Sequence, residues 1–296
     1  MGAPDTIFAK SYGDMISLLA QQQGSMILPK SAITVKRNVV GEETFMEQIA
    51  SGDMEDASAR LQAITLNNPN YSRRRISKYN FTKAYGLDKF DLEATLPDPT
   101  SPIVQTLSFA AGRKMDDLVL AAARGTAYTG KTGSTSVPLP SGQKVAASAA
   151  GLTVTKLRAA KKILDQNKVP FNDRFLAVAA EGIDDLLSDS NVTSADFNTV
   201  RALVEGKVDT FLGFKFIQME APVTDNASNT LGVAGSGTYF AVAFQKSGLG
   251  LAVWSDNGAR IDTRVDLVGA PKQLAYNMSI GASRLEEEKI VEIAYV

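Results

Sequence analysis

The sequence predicts an α+β protein on three observations. One long amphipathic helix is expected over residues 100–124, the second half alternates helical and strand-like runs, and a polar, extended stretch from Ile33 to about Leu92 is too poor in apolar residues to form a core of its own. With 296 residues, 44% hydrophobic and 21% charged, the chain has the composition of one large globular domain or two modest ones.

Residues 6 to 23 place Ile7, Phe8, Met15, Leu18 and Leu19 among polar neighbours and stop at Gly24, a weakly amphipathic helix in an N-terminal arm. The sparse region that follows reads as a long projecting hairpin with its tip between Ser51 and Ser72, ordered only when another chain covers it. In "PDPTSPIVQTLSFAAGRKMDDLVLAAARG", Thr100 or Ser101 can cap a helix, Pro102 suits its first turn, and Gly125 sits where a C-terminal cap belongs. Ile103, Leu107, Ala110, Ala111, Leu118, Val119 and Ala122 form its expected buried stripe. At 1.5 Å per residue the helix is about 35 Å long, a spine for the molecule.

Gly130, Gly133, Pro138, Pro140 and Gly142 then mark a turn-rich segment. After it the patterns predict helix 153–167, strand 174–180, helices 181–188 and 194–205, and strand-like "KVDTFLGFKFIQME". The small-residue run Ala221–Thr238 reads as a loop, "YFAVAFQ" as a strand, "ARIDTRVDLV" as a half-exposed antiparallel strand, and "KIVEIAYV" as the closing strand.

The chain has no cysteine and no histidine. That removes disulfides, thiolate nucleophiles, Cys-ligated zinc, the commonest general base and every Ser-His-Asp arrangement. A net charge of −1 argues against a protein whose main work is gripping nucleic acid. No apolar run reaches the length of a membrane span, and the first 24 residues lack the order of a signal peptide, so a soluble intracellular product is expected.

Four motifs remain. Gly125-x-x-x-x-Gly130-Lys131-Thr132 spells the P-loop of nucleotide hydrolases, the alternative function considered. That chemistry needs a strand before the loop and a helix after it. Here a helix precedes, and "GSTSVPLPSG" follows. Glu181, Asp184 and Asp185 share a short helix and read as a solvated face rather than a paired-carboxylate site. "DSNVTSADFNTV" lacks the glycine and the final glutamate of a calcium loop. Arg73, Arg74 and Arg75, beside Tyr71 and Tyr79, suit carboxylates of a neighbouring subunit better than nucleic acid. Finally, Gly112 interrupts the spine helix at a cost of about 1 kcal/mol relative to alanine. Close packing or bending would explain it, and bending is the reading preferred from sequence.

This order of arm, extended loop, spine helix, turn-rich hairpin, α/β unit with a glycine-rich loop and final strands resembles the major capsid proteins of tailed bacteriophages, with the Hong-Kong-97-like fold. "DRFLAVAAEGIDDLLSDSNVTSADF" and "GASRLEEEKIVEIAYV" are similar to segments of capsid proteins from short-tailed phages. The resemblance implies residues 1–38 as an N-arm, 39–92 as an E-loop, 93–149 as a P-domain with the spine, 150–257 as an A-domain, 258–285 as P-domain return strands and 286–296 as a final A-domain strand. It further implies a virion protein assembled in the host cytoplasm into hexamers and pentamers of an icosahedral shell around double-stranded DNA. Scaffolding and portal proteins are the implied partners, and a decoration protein is a further one that the resemblance allows. No enzymatic activity, cofactor or metal is implied.

Overall fold

The computed structural model describes residues 21–52, 68–88, 100–188, 210–220, 237–268 and 270–296, with residues 54, 56, 66, 231 and 232. The expected helices at 6–23 and 194–205, the rejected calcium loop and most of the 221–238 loop lie outside them.

Strand β1 (Thr34–Arg37) is followed by β2 (Glu43–Ile49), β3 (Tyr71–Ser77) and β4 (Tyr79–Leu87). Helix α1 (Thr100–Arg124) leads to β5 (Ala127–Thr129), β6 (Thr135–Val137) and β7 (Lys144–Val145). Helix α2 (Val154–Gln166), β8 (Arg174–Ala179), α3 (Ala180–Ser188), β9 (Thr210–Phe211), β10 (Phe214–Met219) and β11 (Tyr239–Gln245) come next. The long pair β12 (Leu249–Thr263) and β13 (Lys272–Arg284) precedes β14 (Ile290–Tyr295). They form three sheets, ordered β1-β12-β13-β4, β7-β14-β11-β8-β10-β9 and β2-β3-β5-β6.

The six-stranded sheet is buried on both faces, so alternate residues of one strand enter different cores. In β8, Phe175 and Ala177 join one cluster while Leu176 and Val178 join the other. The first cluster packs α1 (Ala111, Met115, Val119, Leu120, Ala123) between this sheet and Leu249, Leu251, Val253, Met278 and Ile280 of the β12–β13 pair. The second seats Leu157, Ala160 and Leu164 of α2 and Leu186 of α3 on the opposite face. Thr153 caps α2 by accepting from the Lys156 amide.

Strands β2 and β3 pair antiparallel from Glu43↔Ser77 to Ile49↔Tyr71 as the two arms of a hairpin. Two sequence expectations need correction. The strand expected over Ala259–Val268 stops at Thr263, where its pairing with β13 runs out and Arg264–Val268 turn back. Its residues from Arg260 onward are exposed on both faces, because among the described residues no third layer lies over the end of this ribbon. Of the expected α1 stripe, Leu107, Ala111 and Val119 are buried, whereas Ile103, Ala110, Leu118 and Ala122 are half-buried. The buried face is centred instead on Gly112, Met115, Asp116, Leu120 and Ala123.

Candidate functional site

Three groups of side chains tie the distant parts of this chain together, and each bears on a residue the sequence singles out.

The first lies at the middle of α1. The segment 22–27 crosses the helix at Gly112, where a Cβ would sit 2.3 Å from the Ser25 nitrogen and 2.5 Å from the Gly24 carbonyl carbon. Backbone fills the place of a side chain, which is the condition for the packing account of Gly112. One turn further on, the buried Asp116 carboxylate accepts from the Ser25 hydroxyl at 2.5 Å, the Met26 amide at 2.7 Å and Gln22 Nε2 at 3.2 Å. Burial pushes this carboxyl above the ordinary carboxylate range, and those hydrogen bonds pull it back. Arg113 adds a bond to the Gln22 carbonyl at 2.9 Å. Sequence reasoning missed this clamp, although an Asp-Asp pair inside an apolar stripe signals that one carboxylate must face inward.

The second lies at the C-terminus of α1. Gly125 does not take the left-handed conformation of a C-terminal cap, since it is absent from the glycines with positive φ. Its amide continues the helix by donating to the Ala121 carbonyl at 2.8 Å, and a Cβ there would press on that oxygen. The exposed carbonyls are satisfied instead by Arg284, which is wholly buried and donates to Ala123, Gly125 and Val137 oxygens at 3.0, 2.6 and 2.6 Å. After Gly125 comes the β5–β6 hairpin. Gly130 and Gly133 both have positive φ, and the Gly133 amide donates to the Gly130 carbonyl. Lys131 is exposed in that turn with no helix behind it, so neither structural condition of a P-loop is met.

The third is the arginine run on β3. Strand alternation sends Arg74 inward, where Nε donates to the Leu285 carbonyl at 2.8 Å and Nη2 pairs with Glu287 at 2.6 Å. Arg73 and Arg75 lie on the other face. They pair with Glu47 at 3.5 Å and Glu43 at 3.2 Å and stack on Phe45 and Tyr128. All three arginines therefore have carboxylates of their own chain, and Arg74 is enclosed by it. Tyr79 stands at the start of β4, 53% exposed.

Of the acidic residues on α3, only Asp184 fits the expected solvated face. Asp185 accepts from the Leu152 amide at 2.9 Å, and Glu181 turns one oxygen into the protein, because one side of α3 packs against Leu152 and Tyr295. Among the described residues no cluster of acidic side chains is arranged to hold a metal ion, and no helix is long and apolar enough to cross a membrane.

The chain combines a β2–β3 hairpin joined to β5 and β6, a spine helix packed between two sheets, and an α/β layer closed by the last strand. The model of the phage capsid protein family matches residues 5–296, and the chain belongs to that family. Solved structures agree on the fold. The cyanophage Pam1 capsid asymmetric unit is similar with a TM-score of 0.71 at 11% identity, over 99% of this chain and 98% of that one. The capsid of Ralstonia phage GP4 gives 0.69 at 11%, over 99% and 96%, and a Mycobacterium phage Che8 structure 0.65 at 14%, over 98% of both chains. No curated protein sequence matches. The chain is thus a major capsid protein with the Hong-Kong-97-like fold, a virion structural component, and the hydrolase alternative has no support.

Proposed function

We propose that the subunit assembles into hexamers and pentamers that tile an icosahedral shell around double-stranded DNA, that assembly takes place in the host cytoplasm, and that scaffolding and portal proteins take part, with a decoration protein as a further candidate partner. One observation carries the reading. The β2–β3 hairpin leaves Ile49, Met54, Leu66 and Tyr71 between 66% and 100% exposed in the isolated chain. Apolar residues on a ribbon without a core are stabilised by burial against a neighbour, and many such contacts together hold a shell.

The domain reading follows the same logic: 1–38 as N-arm, 39–92 as E-loop, 93–149 as P-domain and 150–257 as A-domain, with 258–285 returning to the P-domain and 286–296 closing the A-domain. Because β11 ends at Gln245 in the six-stranded sheet and β12 starts at Leu249 in another, we place the return at Leu249 instead of residue 258. Arg73, Arg75 and Tyr79 remain the proposed intersubunit contacts on this hairpin and its neighbouring strand. Arg74 is better assigned to anchoring the hairpin on its own subunit.

Negative-stain microscopy of the purified protein tests the assembly, with closed shells, sheets or capsomers expected. A protein that stays a compact monomer under all assembly conditions would overturn it. Arg73→Glu should impair assembly while leaving the melting temperature of the free subunit within about 1 °C, the effect expected of a surface change.

A further inference from the structure

Helix α2 carries an unbalanced cationic face. It holds Lys156, Arg158, Lys161 and Lys162 against one acid, Asp165, in a chain of net charge −1. Lys156 is turned inward, its Nζ donating to the carbonyls of Ala147, Ala150 and Ala294. Asp165 is engaged by Arg174 at 2.6 Å. Arg158, Lys161 and Lys162 are left around a shallow groove of about 500 Å³ that Asp165, Gln166 and Leu212 also line. None of the three side chains has a hydrogen bond or ion pair among the described residues. Arg158 stands three and four residues before Lys161 and Lys162, so it neighbours both on one side of the helix, and the like charges repel until an anion arrives.

Carboxylates of a neighbouring subunit or phosphates could supply that anion. The groove favours phosphates. Among the described residues Leu212 is its one apolar lining residue, whereas the centre of a protein interface is apolar, rich in aromatics and depleted in lysine. Hydrated lysine ammonium groups suit phosphate as point charges. Among the described residues no aromatic side chain lines the groove, so they offer neither a stacking platform for bases nor sequence readout, only a backbone contact.

We propose that Arg158, Lys161 and Lys162 contact the phosphodiester backbone of enclosed double-stranded DNA, and that the α2 layer of the six-stranded sheet faces the shell interior. The proposal rests on the reading of the chain as a shell around such DNA. Three cations per subunit make a weak, sequence-independent contact, in keeping with the near-neutral chain and with a genome that must leave.

The test compares wild type with Arg158→Gln/Lys161→Gln/Lys162→Gln by titrating the unassembled protein with a short fluorescent DNA duplex across a salt series. Neutralising one phosphate-bound cation should lower the slope of log affinity against log salt by about 0.9, so the triple variant should be shallower by about 2–3 and bind at least about tenfold more weakly at low salt. Equal slopes and affinities would overturn the proposal. So would a triple variant that binds duplex normally yet fails to close shells, which would assign the cations to a protein neighbour. Orientation is read separately with an amine-reactive dextran too large to cross the shell. Lys161 and Lys162 should react in free subunits and be spared in closed particles, and reaction in closed particles would refute the inward face. Failure of the shell reading itself would appear elsewhere, as wild-type micrographs without closed particles.

Discussion

Replacing Gly112 with alanine places a methyl group where the chain backbone already runs. The new Cβ would lie 2.3, 2.5 and 2.6 Å from the Ser25 nitrogen, Gly24 carbonyl carbon and Gly24 Cα. Ordinary contact begins near 3.4 Å, so the segment must retreat by about 1 Å, and backbone, unlike a flexible side-chain tip, does not yield cheaply. Overpacking of this kind costs about 1–3 kcal/mol. A retreat also stretches the bonds from Ser25 and Met26 to Asp116, and hydrogen bonds to a charged group contribute about 1.5–3 kcal/mol each. Against this stands the helix preference for alanine, about 1 kcal/mol. The net is a loss of about 2 kcal/mol, which for a chain of this size lowers the melting temperature by about 3 °C. Calorimetry of the unassembled subunit measures it, and hydrogen exchange should show the Met26 amide opening faster while amides of β8 and β11 hold. A variant that melts at or above wild type would refute the packing argument and return Gly112 to the bending role.

Arg284→Met leaves the Ala123, Gly125 and Val137 carbonyls without their donor and Glu287 with only Arg74. A loss of about 3–5 kcal/mol is expected by denaturant titration, as for other broken buried ion pairs, and a midpoint unchanged from wild type would contradict the capping role. Asp117 is raised to about 6, chiefly by burial, with Lys114 opposing. A carboxyl raised on folding adds stability that is complete below its unfolded pKa of about 4 and is lost as pH rises through its folded value. Asp117→Asn should therefore stabilise the subunit at pH 8 and change little at pH 4, and carboxyl titration by NMR with a midpoint near 4 would sink the argument. Lys131→Ala, in an exposed turn, should leave particle yield unchanged; ATP hydrolysis by the wild type that vanishes in this variant would reopen the hydrolase reading.

Local periodicity carried much of this fold. The extent of α1, the apolar spacing of α2, the unbroken apolar run of β8 and the closing strand β14 are legible because each is written in local pattern within a few turns or pleats, although the stripe expected on α1 only partly matches its buried face. The helix before Lys131 was also legible, and it was enough to weigh against a P-loop there. Partners distant in the chain were not legible. Which of three consecutive arginines turns inward depends on the β2–β3 register and on Glu287, more than two hundred residues away. That Gly112 is a crossing point depends on residues 24 and 25, and that α1 ends on Arg284 instead of on its own glycine depends on a strand from the other end of the molecule. A helix or strand advertises which side it must bury, because burial acts on each residue's own surface. What fills that side is decided only when the chain closes on itself, since a hydrogen bond or a backbone crossing needs two particular groups to meet, and neither carries the other's position in its own neighbourhood.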